Sequence, residues 1–153
     1  MSAKYSGRVA HTFLFREGDW QVTGEFTSGD GSVSPADGEA RIKHLPDRWL
    51  FESVMRLHGA KTVESSNRYE INPFAPGSLA THWIAQNPTI GTQHGRFVVV
   101  GDTILSFYAT ATGRHRGYEC LVQREEGKYS ARGVAMHEDK LVGTWAVELT
   151  LKI

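Results

Sequence analysis

Apolar and polar residues alternate along most of this chain. Trp49, Phe51, Met55 and Leu57 share one parity, interrupted by Ser53, against Leu50, Glu52, Val54 and Arg56. Val63, Ser65, Asn67, Tyr69 and Ile71 alternate with the more charged Glu64, Ser66, Arg68 and Glu70. Near the end Leu141, Trp145, Val147, Leu149 and Leu151 oppose Thr144, Glu148, Thr150 and Lys152. A period of two gives a strand one buried and one wet face. No stretch sustains a helical period beyond two turns, and the best helix candidate is the short segment Val9 to Phe15.

Turn signals punctuate the strands: Gly29-Asp30-Gly31, Pro46-Asp47, His58-Gly59, Gly101-Asp102, Thr112-Gly113, Glu126-Gly127 and Glu138-Asp139. Glycine supplies positive φ in such turns, and Asp bonds its own nearby backbone. The strands predicted between them are Asp19–Thr27, Val33–Leu45, Arg48–Leu57, Lys61–Ile71, Ala80–Gln86, Thr92–Val100, Thr103–Ala111, His115–Arg124, Tyr129–His137 and Leu141–Lys152. Most connections suit hairpins, so neighbours pair antiparallel. A meander of this length removes its edges by closing. The expected fold is all-β, a single antiparallel up-and-down barrel of eight to ten strands, with at most a short N-terminal helix. The barrel domain is expected to span 1–153, with strands from about residue 19.

One segment breaks the rhythm. Residues 72–95 hold Pro73, Pro76 and Pro88 with Gly77, Gly91 and Gly95. Proline deletes ladder donors, so Asn72-Pro73-Phe74-Ala75-Pro76-Gly77 reads as a loop at the barrel mouth. Phe74 at its tip is either a lid residue or a plug of the barrel end.

Composition narrows the function. Seventeen Lys plus Arg balance seventeen Asp plus Glu in 153 residues. Zero net charge with no basic run removes the attraction that nucleic acids and anionic membranes need. The longest apolar runs are about four residues, such as Phe97 to Val100, whereas a spanning helix needs about 20. The single Cys120 allows neither an internal disulfide nor a Cys/Cys zinc motif. Residues Met1 to Arg8 do not resemble a signal peptide, so a cytoplasmic protein is expected.

Gly18-Asp19-Trp20 matches the Gly-x-Trp opening of the first lipocalin strand. With its strand pattern, the chain resembles the calycin superfamily of lipocalins, fatty-acid-binding proteins and small bacterial barrels from Trp20 onward. The resemblance implies a late basic residue packed over that tryptophan, for which Lys152 and Arg132 are the candidates. Arg116-Gly117-Tyr118 has the spacing of the Arg-x-Tyr pair with which fatty-acid-binding proteins grip a carboxylate, although it falls on the eighth strand rather than the last. Residues two apart share a face, and a guanidinium beside a phenol suits an anionic head. The opposite phase would put Gly117, Glu119 and Leu121 inside. Cys120 and Val122 share the Arg116 face and tip the expectation towards Arg116 and Tyr118 pointing inward.

The remaining candidates are isolated. Asn67 and Ser53 are polar positions on apolar faces and need a partner, water or a ligand. His82, beside Trp83, is the best acid–base candidate among the seven histidines. No His-x-His or His-Glu-x-x-His spacing occurs, so no metal is expected. No cofactor is expected either; a haem would need an axial ligand such as His82, His94 or His137 inside. No nucleotide or nucleophile-elbow motif is present.

Three functions fit this reading. The first is a cytosolic barrel that holds a small hydrophobic or amphipathic molecule. Trp49, Phe51, Met55, Tyr69, Trp83, Phe107 and Trp145 would form its walls, Arg116 and Tyr118 would hold a polar head, and Asn67 would add a hydrogen bond. The second is a cofactor-independent decarboxylase, isomerase or cyclase in the same cavity, with His82 or Tyr69 as acid–base and Arg116 stabilising charge. The third is a filled barrel that is structural or pairs as a homodimer through Phe97 to Val100.

Overall fold

The computed structural model describes residues 10–153. Ten strands follow one another: β1 (Gly18–Ser28), β2 (Val33–His44), β3 (Trp49–His58), β4 (Thr62–Ile71), β5 (Ala80–Asn87), β6 (Gly91–Val100), β7 (Thr103–Thr110), β8 (His115–Glu125), β9 (Lys128–His137) and β10 (Lys140–Leu151). Each pairs antiparallel with its sequence neighbours, and β10 returns to β1, closing the barrel without an edge. This is the architecture that the alternation and turn spacing predict. Among the described residues there is no helix, and so none long and apolar enough to cross a membrane.

The meander gives the barrel two unlike ends. Odd strands begin at one end, beside Trp20, Trp49, Trp83, Ile104 and Tyr129. Four of these are almost fully buried: Trp20, Trp83, Ile104 and Tyr129. The segment before β1 folds across this end as a floor. His11, Thr12, Phe13 and Leu14 are all buried. Phe13 meets Trp20, Phe51 and Tyr129 with ring centroids 5.3, 5.4 and 5.8 Å apart. The opposite end, formed by the β1–β2, β3–β4, β5–β6, β7–β8 and β9–β10 turns, is the mouth.

The helix expected at Val9 to Phe15 does not form over its described part; Val9 itself lies outside the described residues. Residues 10–12 carry no regular structure, and a turn follows at Phe13 to Phe15. The backbone donors a helix would use internally are claimed by the barrel. Tyr129 Oη accepts from Thr12 N and Phe13 N, and Gln123 Oε1 accepts from Thr12 N and Thr12 Oγ1. Leu14 is held at φ 70°, where His44 Nε2 donates to its carbonyl. Left-handed backbone at a leucine costs about 1–2 kcal/mol and persists only where the surroundings fix it.

The floor also corrects the lid. Phe74 packs on Phe15 at 4.7 Å and on Trp49 at 6.0 Å, so it plugs the closed end, not the mouth. The prolines 73 and 76 turn the chain beneath the barrel, while most of 80–95 belongs to β5 and β6. Among the described residues, the side chains packed against Trp20 are aromatic and not the late basic residue expected there. Lys152 and Arg132 are exposed, and Phe13 and Tyr129 enclose the indole. The dispersed cations pair on the barrel exterior: Arg41 with Asp19, Arg48 with Glu70, and Arg56 with Asp37 and Glu39. In the apolar run of β6, Phe97 and Val99 are buried and Val100 is 54% exposed. Half of that run therefore serves the core and is not offered to a second copy.

Candidate functional site

The interior is not filled. Above the floor lies a cavity of about 340 Å³ that extends towards the mouth. Its space comes from small inward residues, Ala36 and Ala40 on β2 and Ala135 on β9. Larger side chains lie flat against the wall. Trp83, Tyr108 and Trp145 each sit over a cross-strand glycine, Gly95, Gly117 and Gly133 respectively. A side chain at any of these glycines would occupy the ring's place.

The structure brings most of the residues expected in the wall to one cavity. Phe51, Met55, Tyr69, Trp83 and Trp145 line the cavity, as do Ser53 and Asn67. Phe51 stacks on Tyr69 at 4.6 Å, and Tyr69 meets Trp83 edge-on at 4.7 Å. Trp49 belongs instead to the floor, stacked on His44 at 4.2 Å. Phe107 faces outward beside Tyr118. Asn67 is partly committed, because its Oδ1 accepts from Asn87 Nδ2 at 2.8 Å. Asn87 in turn accepts from Thr89 N and Ile90 N through its own Oδ1, which fixes the Pro88 turn at the mouth.

Strand β8 has the phase opposite to the one expected. Gly117 and Leu121 are buried and Glu119 points into the cavity. Arg116 is exposed and donates from Nη2 to the carbonyl of Glu138. Tyr118 borders the cavity but is 51% exposed, with its ring near Phe107. Cys120 is half-buried on the outer face beside Leu105. The reason is steric. Tyr108 needs the space above Gly117, so Gly117 must face in, and its partners two and four residues on follow.

His82 is also outside. It alternates with the buried Thr81 and Trp83, and it is exposed. His94 is exposed on β6, and His137 is half-buried next to His115, 4.5 Å away between centroids. No histidine lines the cavity. His82 and Arg116 therefore cannot act on a molecule held there. His82→Ala and Arg116→Ala are expected to leave cavity binding within about two-fold of wild type, as for exposed side chains away from the site, when a fluorescent ligand is titrated.

Sequence reasoning did not choose Glu119. Among the described residues lining the cavity it is the one charged side chain, and none of them is basic. Trp145 Nε1 donates to its Oε2 at 2.7 Å. Burial pushes its carboxyl above the ordinary glutamate range, and the indole donor offsets that in part. Burial, followed by the charge of Glu119, also raises the phenols of Tyr69 and Tyr108. Ser106 stands across the strand from Glu119, and Gln93 lies on the next strand. Both are buried and line the cavity, and the side chains of Gln93, Ser106, Tyr69 and Tyr108 accept or donate no hydrogen bond within the described residues. The wall thus carries a belt of unused polar groups around one carboxyl.

No protein-family model matches the chain, and no curated protein matches it. Among solved structures, the S-type phycobiliprotein lyase CPES from Guillardia theta matches with a TM-score of 0.66 at 8% identity, covering 100% of this chain and 98% of that one. The likeness is one of fold. A protein of Nitrosomonas europaea assigned as AttH matches with a TM-score of 0.32 at 12% identity, over 95% of this chain and 55% of that one. The barrel architecture is shared with the lyase from end to end, while the Glu119 belt is read from this chain's own residues.

Proposed function

We propose that this chain binds a small, largely apolar molecule in the lumen of its barrel, entering by the mouth. The observation that carries this is the cavity itself: about 340 Å³, with one end sealed by Phe13 and aromatic walls, and with polar side chains left unused inside. Sites for small molecules begin at roughly 300 Å³ and combine apolar walls with a few convergent polar groups. Buried polar groups without partners are uncommon in proteins, and a ligand is one way to satisfy them. The calycin-like architecture, shared at fold level with a phycobiliprotein lyase, supports the same reading. Cytoplasmic location belongs to this proposal too, on the sequence grounds given above.

The test is fluorescence titration with the neutral dye phenylnaphthylamine. Wild type is expected to enhance its emission saturably. Ala135→Trp places an indole in the lumen, because Ala135 lines it, and is expected to weaken binding by about 100-fold or more, worth roughly 2.7 kcal/mol. Saturable binding that survives Ala135→Trp unchanged would place the dye elsewhere and defeat the proposal. A proton-transfer enzyme using the same cavity is the second reading, favoured by the raised carboxyl of Glu119 beside two free phenols. Turnover of a bound ligand, absent in Glu119→Gln, would establish it.

A further inference from the structure

We infer that the ligand of this cavity is an organic cation, a protonated amine on an aromatic or similarly flat apolar body, with its nitrogen at Glu119. This inference rests on the binding reading above and names its chemical class. Three observations converge on it. Glu119 has one hydrogen-bond donor, Trp145, on one of its two oxygens. A carboxylate accepts about four hydrogen bonds, so most of its capacity is unused. Among the described residues, no lysine, arginine or histidine lines the cavity to neutralise it. Around it stand Tyr69, Trp83, Tyr108 and Trp145, whose ring faces carry the negative potential that attracts cations.

The alternatives match the site less well. An anionic head would meet a carboxyl and, among the described residues, no cation. A purely apolar ligand would bury the second oxygen of Glu119 and the side chains of Gln93 and Ser106 without partners, which costs binding free energy for each. An ammonium at Glu119 satisfies the carboxylate directly, and the hydroxyls of Ser106, Tyr69 and Tyr108 accept its remaining protons. The apolar body then fits against the floor side, where Phe13, Phe97, Leu121 and Leu149 line the lumen.

The experiment compares three ligands of one shape: naphthylmethylamine, a cation at neutral pH; ethylnaphthalene, its neutral isostere; and naphthoate, an anion. Each is titrated into wild type and Glu119→Gln by calorimetry. In wild type the amine is expected to bind about 10- to 100-fold tighter than ethylnaphthalene, the range of a charge-assisted hydrogen bond. Glu119→Gln is expected to abolish that preference while keeping ethylnaphthalene binding, which also reports that the variant is folded. If ethylnaphthalene binds as tightly as the amine, or naphthoate binds tighter than either, the cation inference is overturned and the cavity reading stands. If none of the three binds wild type, the cavity reading itself falls. The wild-type comparison decides the matter even where Glu119→Gln does not fold.

Discussion

Tyr129→Phe is expected to destabilise the protein by about 3 kcal/mol, through hydrogen bonds lost at a site closed to water. Tyr129 is 1% exposed. Its hydroxyl sits at a junction. His11 Nε2 lies 2.9 Å from the carbonyl of Gly101, which can only accept, so that nitrogen carries the proton. His11 Nδ1 is then the acceptor, and Tyr129 Oη donates to it at 2.7 Å. The same oxygen accepts from Thr12 N and Phe13 N, each at 3.1 Å. Removing it leaves Phe13 N and His11 Nδ1 with no partner, while Thr12 N keeps Gln123. Each buried orphan costs about 1–3 kcal/mol. At roughly 2–4 °C per kcal/mol for a chain of this size, the melting temperature should fall by about 6–12 °C. Tyr118→Phe removes the same atom from a half-exposed ring and serves as the control, with no change expected. Equal melting of both variants would show that the floor is not held by this hydroxyl.

The same junction predicts a pH dependence. Burial lowers the affinity of His11 for a second proton, only partly opposed by its bond to Gly101 and by the charge of Asp102. The unfolded chain therefore binds that proton more readily than the folded one. Stability contributed by neutral His11 is complete above 6.5, the ordinary histidine value, and is lost as pH falls below it. Glu119 acts with the opposite sign. Its raised carboxyl favours the folded state at low pH, and that contribution declines as pH rises above 4.5. Comparison with His11→Gln separates the two. The stability gap between wild type and this variant should narrow from pH 7.5 to pH 5, and a constant gap would exclude the role given to His11.

Most of the barrel was legible because strand periodicity and turn chemistry are local. The inward face of β3 could be read from Trp49, Phe51, Met55 and Leu57, since the opposite parity carries Glu52 and Arg56. Strand β8 was not legible by that rule. Arg116, Tyr118, Cys120 and Val122 oppose Gly117, Glu119, Leu121 and Gln123, and each parity holds two polar or charged side chains. What decides the phase is a contact across the hairpin: Tyr108 over Gly117. Counting back from the Thr112-Gly113 turn pairs these two residues, so the signal was present in the turn and not in the strand. The N-terminal segment failed for a different reason. Its apolar spacing suits a helix, but the donors that would close one are taken by Tyr129 and Gln123, more than a hundred residues away.

Gly133→Ala is expected to be the most damaging small substitution in the lumen, and it tests how the carboxyl of Glu119 is held. Gly133 lies between Glu119 on β8 and Trp145 on β10, paired with both. The indole of Trp145 leans across the space where a side chain of Gly133 would stand, and so reaches Glu119 at 2.7 Å. That register depends on the irregularity between Leu141 and Gly143, without which a residue other than Trp145 would face Gly133. A methyl group at Gly133 overlaps the ring, and the backbone of a closed barrel has little freedom to retreat. Overpacking of this kind costs about 1–3 kcal/mol, and losing the donor to a buried carboxyl adds about 1.5–3 kcal/mol. A total near 4 kcal/mol is expected. Glu119→Gln keeps Trp145 in place and loses only the charge, so it should cost less. Tryptophan emission provides the second readout. In Gly133→Ala the indole leaves its carboxylate partner and the spectrum shifts, whereas Glu119→Gln alters the hydrogen-bond partner without moving the ring. If Gly133→Ala is as stable as wild type and its emission unchanged, the glycine does not make room for the indole, and the fixed position assigned to Glu119 fails with it.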